Sequence, residues 1–338
     1  METIKGFKPI LEERIKESNQ VFLVPHKKAD FDAIASCIGM YILVKKLGKN
    51  AHIIIDEPLE DIEPGVKIIL EELKNMSIRK ENISIINTEK YSKIKSDNDL
   101  LIALDLNKKY LTSCENYLNE FKNIVVIDHH EQDEKTIETE YKYIDTNVSS
   151  VSELIAELLC LYGVKYNEQV AEYLLAGINL DTDGLKRNVT SRTYHIVSKL
   201  LEKGADINKV NDLFASDFES DRKIQNLVGK TIFVNYNFAI ALADEDIIYR
   251  REELAKVADY LSKYRADATF AIGYTSEGEI SISARSSKGI IDVGEVMREL
   301  GGGGSPYSAA AKITGSNIEE TGKVLTRTLK PRTFIRQP

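Results

Sequence analysis

The 338-residue chain contains no tryptophan and only three cysteines, Cys37, Cys114 and Cys160. The cysteines are far apart, odd in number and never in a Cys-x-x-Cys pair. That spacing excludes a disulfide framework and a thiolate zinc site. Each cysteine is expected to be a small buried residue in a reducing compartment. No apolar run approaches the roughly 20 residues needed to span a bilayer. The N-terminal METIKGFKPILEERIKESNQ lacks the apolar core of a signal peptide. A cytoplasmic protein without a membrane partner is the expectation. An excess of positive charge is missing too. The formal net charge is −8, which argues against a broad basic surface for duplex DNA. The lack of tryptophan and of an aromatic stacking motif argues against an RNA-binding module. A local basic pocket for a small phosphate-bearing ligand stays open. Neither an internal repeat nor a low-complexity tract is present.

What is there reads as an ordinary globular chain, 43% hydrophobic and 29% charged, of one large or two medium domains. In the first half, apolar strand-like runs alternate with helical periodicity. VFLVP, AHIIID, NDLLIALDL and NIVVIDHH read as strands, and DAIASCIGMYILVKKLG and GVKIILEELKN as helices. SSVSELIAELLCLYG is a further helix, with Ser150 and Glu153 at capping-box spacing. Apolar strands alternating with helices indicate an α/β fold whose parallel sheet is covered on both faces. From Ser191 the pattern changes to polar-faced helices, and past Gly229 a second strand rhythm begins. We therefore expect a catalytic domain over 1–190, a helical linker over 191–228 and a smaller α/β domain over 229–338.

Charged residues collect where the strands of the first half stop: His26, Asp30, Asp32, Asp105, Asp128 and His129, joined by Asp181 at the end of the apolar VAEYLLAGINL. In a parallel sheet these positions face the ligand crevice. An Asp at a strand end is often only the N-cap of the next helix, and His52 and His195 read as plain structural histidines. The conjunction of four such segments is harder to explain that way. Four carboxylates pressed together raise one another's pKa, and divalent metal reverses that effect. Carboxylate and imidazole donors without thiolate favour Mn²⁺, Mg²⁺ or a similar ion. Four acids and two histidines suit two ions about 3.5–4 Å apart.

The phrases PHKKADFDAIAS, LIALDL, VVIDHH and AGINLDTDG, in that order, resemble the four motifs of the DHH family of phosphoesterases. ISISARSS and GGGGS resemble the DHH-associated domain that follows in that family, so the likeness spans most of the chain. It implies an active-site cleft between a DHH domain and the associated domain. It also implies that His26 and Asp30 hold one metal, that Asp32, His129 and Asp181 hold the other, and that Asp105 bridges them. Mn²⁺ is the expected ion, with Mg²⁺ or Co²⁺ as alternatives. Asp128 would brace His129, and His130 would point toward the substrate phosphate. Substrate contacts would come from Ser283, Arg285, Ser286, Gly301, Gly302, Gly303, Gly304 and Ser305. Arg285 is the only ionised donor in its run, and the glycines let backbone approach a ligand. Many relatives carry His where this chain has Ser305, and Ser can neither carry charge nor stack. Lys108 and Lys109 read as an exposed helix start.

Several phrases look closest to the cyclic-di-AMP phosphodiesterases. The lack of membrane and sensor segments resembles the stand-alone branch, whose members favour linear dinucleotides. The expected activity is hydrolysis of cyclic-di-AMP and linear pApA to mononucleotides. The near alternative is a nano-RNase, acting on short RNA, that also removes phosphate from 3′-phosphoadenosine 5′-phosphate. The Gly-rich element speaks against a pyrophosphatase. A catalytically idle nucleotide-binding module is the alternative from another class, and a homodimer is compatible with the resemblance.

Overall fold

The computed structural model describes residues 3–58, 62–74, 77–78, 81–112, 114–215, 218–234, 237–286 and 290–329. Ser287 and part of the expected strand segment KTIFVNYNFAIALA, residues 235–236, lie outside them. The chain divides into two compact units, Met1–Ala215 and Ser216–Pro338.

The first unit opens with helix α1 (Ile4–Glu17), which buries Ile4, Phe7, Leu11 and Ile15 along one stripe. Then follow β1 (Gln20–Val24), α2 (Phe31–Lys46), β2 (Asn50–Ile54), α3 (Pro64–Leu73), the short pair β3 (Ser77–Ile78) and β4 (Glu81–Asn82), β5 (Ile85–Ile86) and α4 (Thr88–Ile94). After β6 (Leu100–Leu104) come two 3-10 turns, Lys109–Leu111 and Glu115–Glu120. The unit closes with β7 (Asn123–Asp128), β8 (Tyr141–Ile144), α5 (Val151–Leu161), α6 (Glu168–Asp181), α7 (Ser191–Glu202) and α8 (Ile207–Leu213).

Six strands form one parallel sheet in the order β5-β2-β1-β6-β7-β8. The chain winds outward from β1 through β2 to β5, then returns to β6 on the other side of β1. The reversal falls at the carboxyl ends of β1 and β6, the position where such sheets bind ligands. Side chains alternate across the sheet, so Val21, Leu23, Ile53, Leu100, Ile102 and Ile127 pack into the large core beneath α2, α5 and α6. Phe22, Val24, Leu101, Ala103 and Val126 face the other way, onto Tyr91, Leu118 and Phe121. Apolar residues on both faces are why these strands read as unbroken hydrophobic runs.

Helix α2 is buried nearly all round. At Gly39 a Cβ would lie 2.5 Å from Ile155 Cγ2 of α5, so close helix approach requires the glycine. Cys37 and Cys114 are buried as expected. Cys160 is exposed, because it sits on the outward face of the last turn of α5.

The second unit contains α9 (Phe218–Gly229), β9 (Thr231–Val234), β10 (Phe238–Leu242), α10 (Arg251–Leu261), β11 (Ala268–Ser276), β12 (Glu279–Arg285), α11 (Val293–Glu299), β13 (Gly303–Gly304), β14 (Ser308–Thr314) and α12 (Ile318–Leu329). Its sheet runs β13-β14-β12-β11-β10-β9, parallel only between β10 and β11. Ala239, Ala241 and Ala271 pack under α9 and α10. Phe238, Ile240, Phe270 and Ile282 pack against residues of α11 and α12. The segment expected as a linker is helical: α7 and α8 fall in the first unit and α9 in the second. No helix among the described residues is long and apolar enough to cross a membrane.

Gly39→Ala is expected to destabilise the protein by about 1–3 kcal/mol through overpacking of α2 against α5. Urea denaturation followed by circular dichroism checks this, and an unchanged midpoint would contradict it.

Candidate metal centre

The residues at the carboxyl edge of the first sheet are placed by backbone features that can be named one by one. Val24 ends β1, and His26 follows within two residues. Asp30 is the N-cap of α2, and its Oδ1 accepts from the amides of Asp32 and Ala33 at 2.9 and 3.1 Å. The capping and ligand readings of Asp30 therefore coexist, because Oδ2 remains free and lies 3.6 Å from His26 Nε2. Asp105 follows β6 directly and has φ +56°, left-handed backbone that Asp tolerates better than most residues. Its amide still pairs with Ile127 O at 3.1 Å, which fixes it between β6 and β7. Asp181 is the last residue of α6.

Asp32 is fully buried. Its two oxygens accept from Val151 N and Ser152 N, each at 2.7 Å, at the amino end of α5. Unpaired amides and the helix dipole at that end favour an ionised carboxylate. Nothing in the sequence announces this contact, which joins residues 119 and 120 positions apart.

Three overlapping groups converge here: His26, Asp30 and Asp105; Asp105, His129 and His130; Asp32, His129 and Asp181. Within each group one donor atom per residue lies within 4.8 Å of the others. His26 Nε2 is 3.5 Å from Asp105 Oδ2, and His129 Nε2 is 3.5 Å from Asp105 Oδ1 and 3.4 Å from Asp181 Oδ2. These separations exceed a good hydrogen bond. Two donors about 2.1 Å from a shared ion and about 110° apart would sit about 3.4 Å from each other. The buried oxygens Asp105 Oδ1 and Asp181 Oδ2 accept no hydrogen bond from any described residue. His26 Nδ1 donates to Lys27 O at 2.8 Å, which turns Nε2 toward carboxylate oxygens that can only accept. Nε2 therefore needs either a proton of its own or a cation between it and the carboxylates, and the donor set fits divalent metal.

The electrostatics without metal show the same frustration. Burial, then the charge of Asp32 and Asp105, pushes Asp181 up to about 9. Burial and the charge of Asp105 raise Asp32 to about 7. Burial opposes charge on the imidazoles, but the carboxylates outweigh it. His26 is held up to about 11 by Asp105 and Asp30, and His129 to about 10 chiefly by Asp105. Asp105 itself is driven the other way: its burial is overcome by His129 and His26, which hold it well below the ordinary carboxylate range.

Asp128 does not brace the ring of His129 as expected. Its Oδ1 accepts from the backbone amide of His129 at 2.7 Å and from Nδ1 of His130 at 2.9 Å. The ring it orients is therefore that of His130, whose side chain is 59% exposed. The bond to Asp128 raises the pKa of His130 despite burial of part of the ring. His52, by contrast, bonds Ser84 Oγ through Nδ1 and stacks on Phe22, as a structural histidine does. Lys108 is paired with Asp133 at 2.7 Å, and Lys109 opens a 3-10 turn rather than an α-helix.

The residues expected to grip substrate lie in the second unit. Ser283, Arg285 and Gly301 to Gly304 line a groove of about 600 Å³ together with Arg251 and Lys312. Ser286 and Ser305 are not among its lining residues. Ser286 Oγ donates to Asp267 O at 3.2 Å. Ser305 Oγ closes its own turn by accepting from the amides of Tyr307 and Ser308 at 3.3 and 3.1 Å. Arg285 is engaged by Asp259 on α10, Nε to Oδ1 at 2.7 Å and Nη2 to Oδ2 at 3.2 Å. Gly302 and Gly304 are needed for pairing with β14, since a Cβ would lie 2.1 Å from Ala310 O and 2.4 Å from Ala309 Cα respectively. Gly303 has open space where its Cβ would stand.

Comparison with known proteins finds a family match in each of the two units. Residues 20–178 match the N-terminal domain of the DHH family, and residues 235–330 match the DHHA1 domain. The chain is 32% identical to the cyclic-di-AMP phosphodiesterase GdpP of Bacillus subtilis (strain 168), over 92% of this chain and 47% of that protein. It is also 32% identical to a membrane protein–large ribosomal subunit bL9 fusion protein of Aster yellows witches'-broom phytoplasma (strain AYWB), over 94% of this chain and 37% of that one. The chain thus spans about half or less of the length of these curated relatives. The crystal structure of an exopolyphosphatase-related protein from Bacteroides fragilis shares the fold, with a TM-score of 0.74 at 19% identity, over 97% of this chain and 96% of the other.

Uptake of divalent ions by this cluster is expected to release protons, because His26 and His129 retain theirs at neutral pH and only a neutral imidazole can coordinate. Apparent affinity should therefore strengthen as pH rises from 6 to 8. Titration calorimetry in two buffers of different ionisation heat checks this. Uptake without proton release would contradict it.

Proposed function

The chain belongs to the DHH family, with both its N-terminal domain and a DHHA1 domain, and we propose that it is a metal-dependent phosphodiesterase that hydrolyses cyclic-di-AMP and linear pApA to mononucleotides. The observation that carries the reading is the position of Asp105, whose two carboxylate oxygens face different imidazoles, His26 and His129, at the switch point of the sheet. Likeness to a cyclic-di-AMP phosphodiesterase over nine-tenths of the chain supports the substrate class.

In this reading His26, Asp30 and Asp105 would hold one divalent ion, and Asp32, Asp105, His129 and Asp181 would hold a second. Manganese is the ion that best suits carboxylate and imidazole donors without sulfur. Such ions supply Lewis acidity, making water acidic enough to attack phosphorus at neutral pH and offsetting charge on the phosphoryl oxygens. The chain's own groups do the remaining work. Asp32 is fixed by two amides of α5, whose hydrogen bonds favour its charged form against the cost of burial. Asp128 fixes His130 with a proton on Nδ1, which leaves Nε2 outward. The bond to Asp128 favours the cationic form of His130, which is suited to contact a phosphate oxygen and to return a proton to the departing oxygen. In the second unit, the Arg285 guanidinium, whose Nη1 also donates to Ala284 O at 3.1 Å, and the open backbone at Gly303 are the proposed nucleotide contacts.

The test is a panel with Mn²⁺ and cyclic-di-AMP, pApA, a five-mer RNA and 3′-phosphoadenosine 5′-phosphate, with products separated by chromatography. Fastest loss of cyclic-di-AMP or pApA is expected. Fastest loss of the five-mer or of 3′-phosphoadenosine 5′-phosphate would replace the reading with a nano-RNase, and no turnover of any substrate would remove it.

Two variants sharpen this. His130→Ala should lower kcat by about 10²-fold or more while leaving bound metal, measured by mass spectrometry, unchanged. Gly303→Val should raise KM about tenfold with a melting temperature close to the parent, because the fold leaves room for the side chain. An unaltered KM would remove Gly303 from the substrate surface.

A further inference from the structure

Glu153 occupies the third position of α5, where a capping-box glutamate would turn back to the N-cap amide of Ser150. Only half of that box forms. Ser150 Oγ accepts from Glu153 N at 3.1 Å, but the Glu153 carboxylate goes elsewhere. Its Oε2 accepts from Ser149 Oγ at 2.6 Å, from Ser149 N at 3.3 Å and from Thr193 Oγ1 at 2.8 Å. Its Oε1 lies 3.5 Å from Arg192 Nε. The carboxylate is fully buried, and a buried charge held by a distant helix costs stability unless it is paired. Arg192 offsets that charge from beside it rather than by a hydrogen bond: Oε1 has no hydrogen-bond partner among the described residues, while Arg192 Nε donates to Glu157 Oε2 at 2.7 Å and Nη1 reaches Asp145 Oδ2 at 3.5 Å.

The two ends of this contact each lead to a proposed metal ligand. The amino end of α5 supplies the Val151 and Ser152 amides that clamp Asp32. Arg192 and Thr193 open α7, at the far end of a nine-residue connection from Asp181 in which Asp183, Leu185 and Asn188 all have positive φ. Leu185 at φ +64° is unusual for a large side chain, and such backbone persists only where the surroundings fix it.

We infer that Glu153, with Arg192 and Thr193, is a positioning group that locks the α5 amides on Asp32 to the segment following Asp181, and so sets the spacing of the Asp32 and Asp181 carboxylates. This rests on the metal reading above. Groups that orient ligands from outside the coordination sphere typically change metal affinity by 10–100-fold when altered.

The test uses the full chain and reads metal binding directly. Free Mn²⁺ is followed by electron paramagnetic resonance during titration of the parent, Glu153→Gln and Arg192→Lys, with thermal melts alongside and KM for pApA taken at saturating Mn²⁺. Glu153→Gln keeps size but loses charge, and it should raise the Kd of the weaker Mn²⁺ about tenfold with KM within twofold of the parent. Arg192→Lys keeps charge but loses the fork, and it should fall between the two; it carries the comparison if the first variant does not fold. Parent-like Mn²⁺ binding by both variants, with only a lowered melting temperature, would overturn the inference and leave the metal reading standing. Failure of the parent itself to bind Mn²⁺ would overturn both.

Discussion

Everything at the carboxyl edge of the first sheet depends on one carboxylate with two sides. Asp105 is 4% exposed, follows the central strand β6 in left-handed backbone, and places an imidazole against each oxygen. It sits where the sheet reverses direction, so β1 delivers His26 from one side and β7 delivers His129 from the other. Three further acids close around it. A protein interior tolerates such a density of negative charge only if positive charge is brought in. The imidazoles supply part of it by holding protons, and divalent ions supply it in the proposed working form.

The rest of the unit is arranged to hold these groups still. The amino end of α5 grips Asp32, the cap of α2 grips Asp30, and the backbone of β7 grips Asp105. Close packing transmits those restraints. Gly39 brings α2 and α5 together, and Gly177 brings α6 so near that a Cβ there would meet Ser152 Oγ at 2.2 Å and Asp32 Oδ1 at 2.9 Å. The second unit solves a different problem with similar means. Gly302 and Gly304 let a short edge strand close onto β14, and the neighbouring Gly303 is left with open space.

Much of this was legible in the sequence, for physical reasons that differ by element. The strands of the first unit announced themselves because both faces are buried, and the polar residues that ended each run marked the crevice. The DHH-family motifs carried the identity of the second unit as well. Other features depend on contacts that no local pattern records. Helix α1 hid behind its charges, although every third or fourth residue is apolar and buried. Strand β14 is built on alanines, and α12 mixes Thr and Gly with its apolar stripe, so neither gave a clear period. The spacing of Ser150 and Glu153 suggested a reciprocal box, but tertiary partners drew the glutamate away. The pairing of Arg285 with Asp259, and of Asp128 with the ring of His130 rather than that of His129, likewise belongs to three-dimensional geometry.

The most direct test of the central claim is anomalous diffraction at the manganese edge from crystals grown with Mn²⁺. The account requires two peaks flanking Asp105, one among His26, Asp30 and Asp105, the other among Asp32, Asp105, His129 and Asp181. A map with no peak against Asp105 would contradict it.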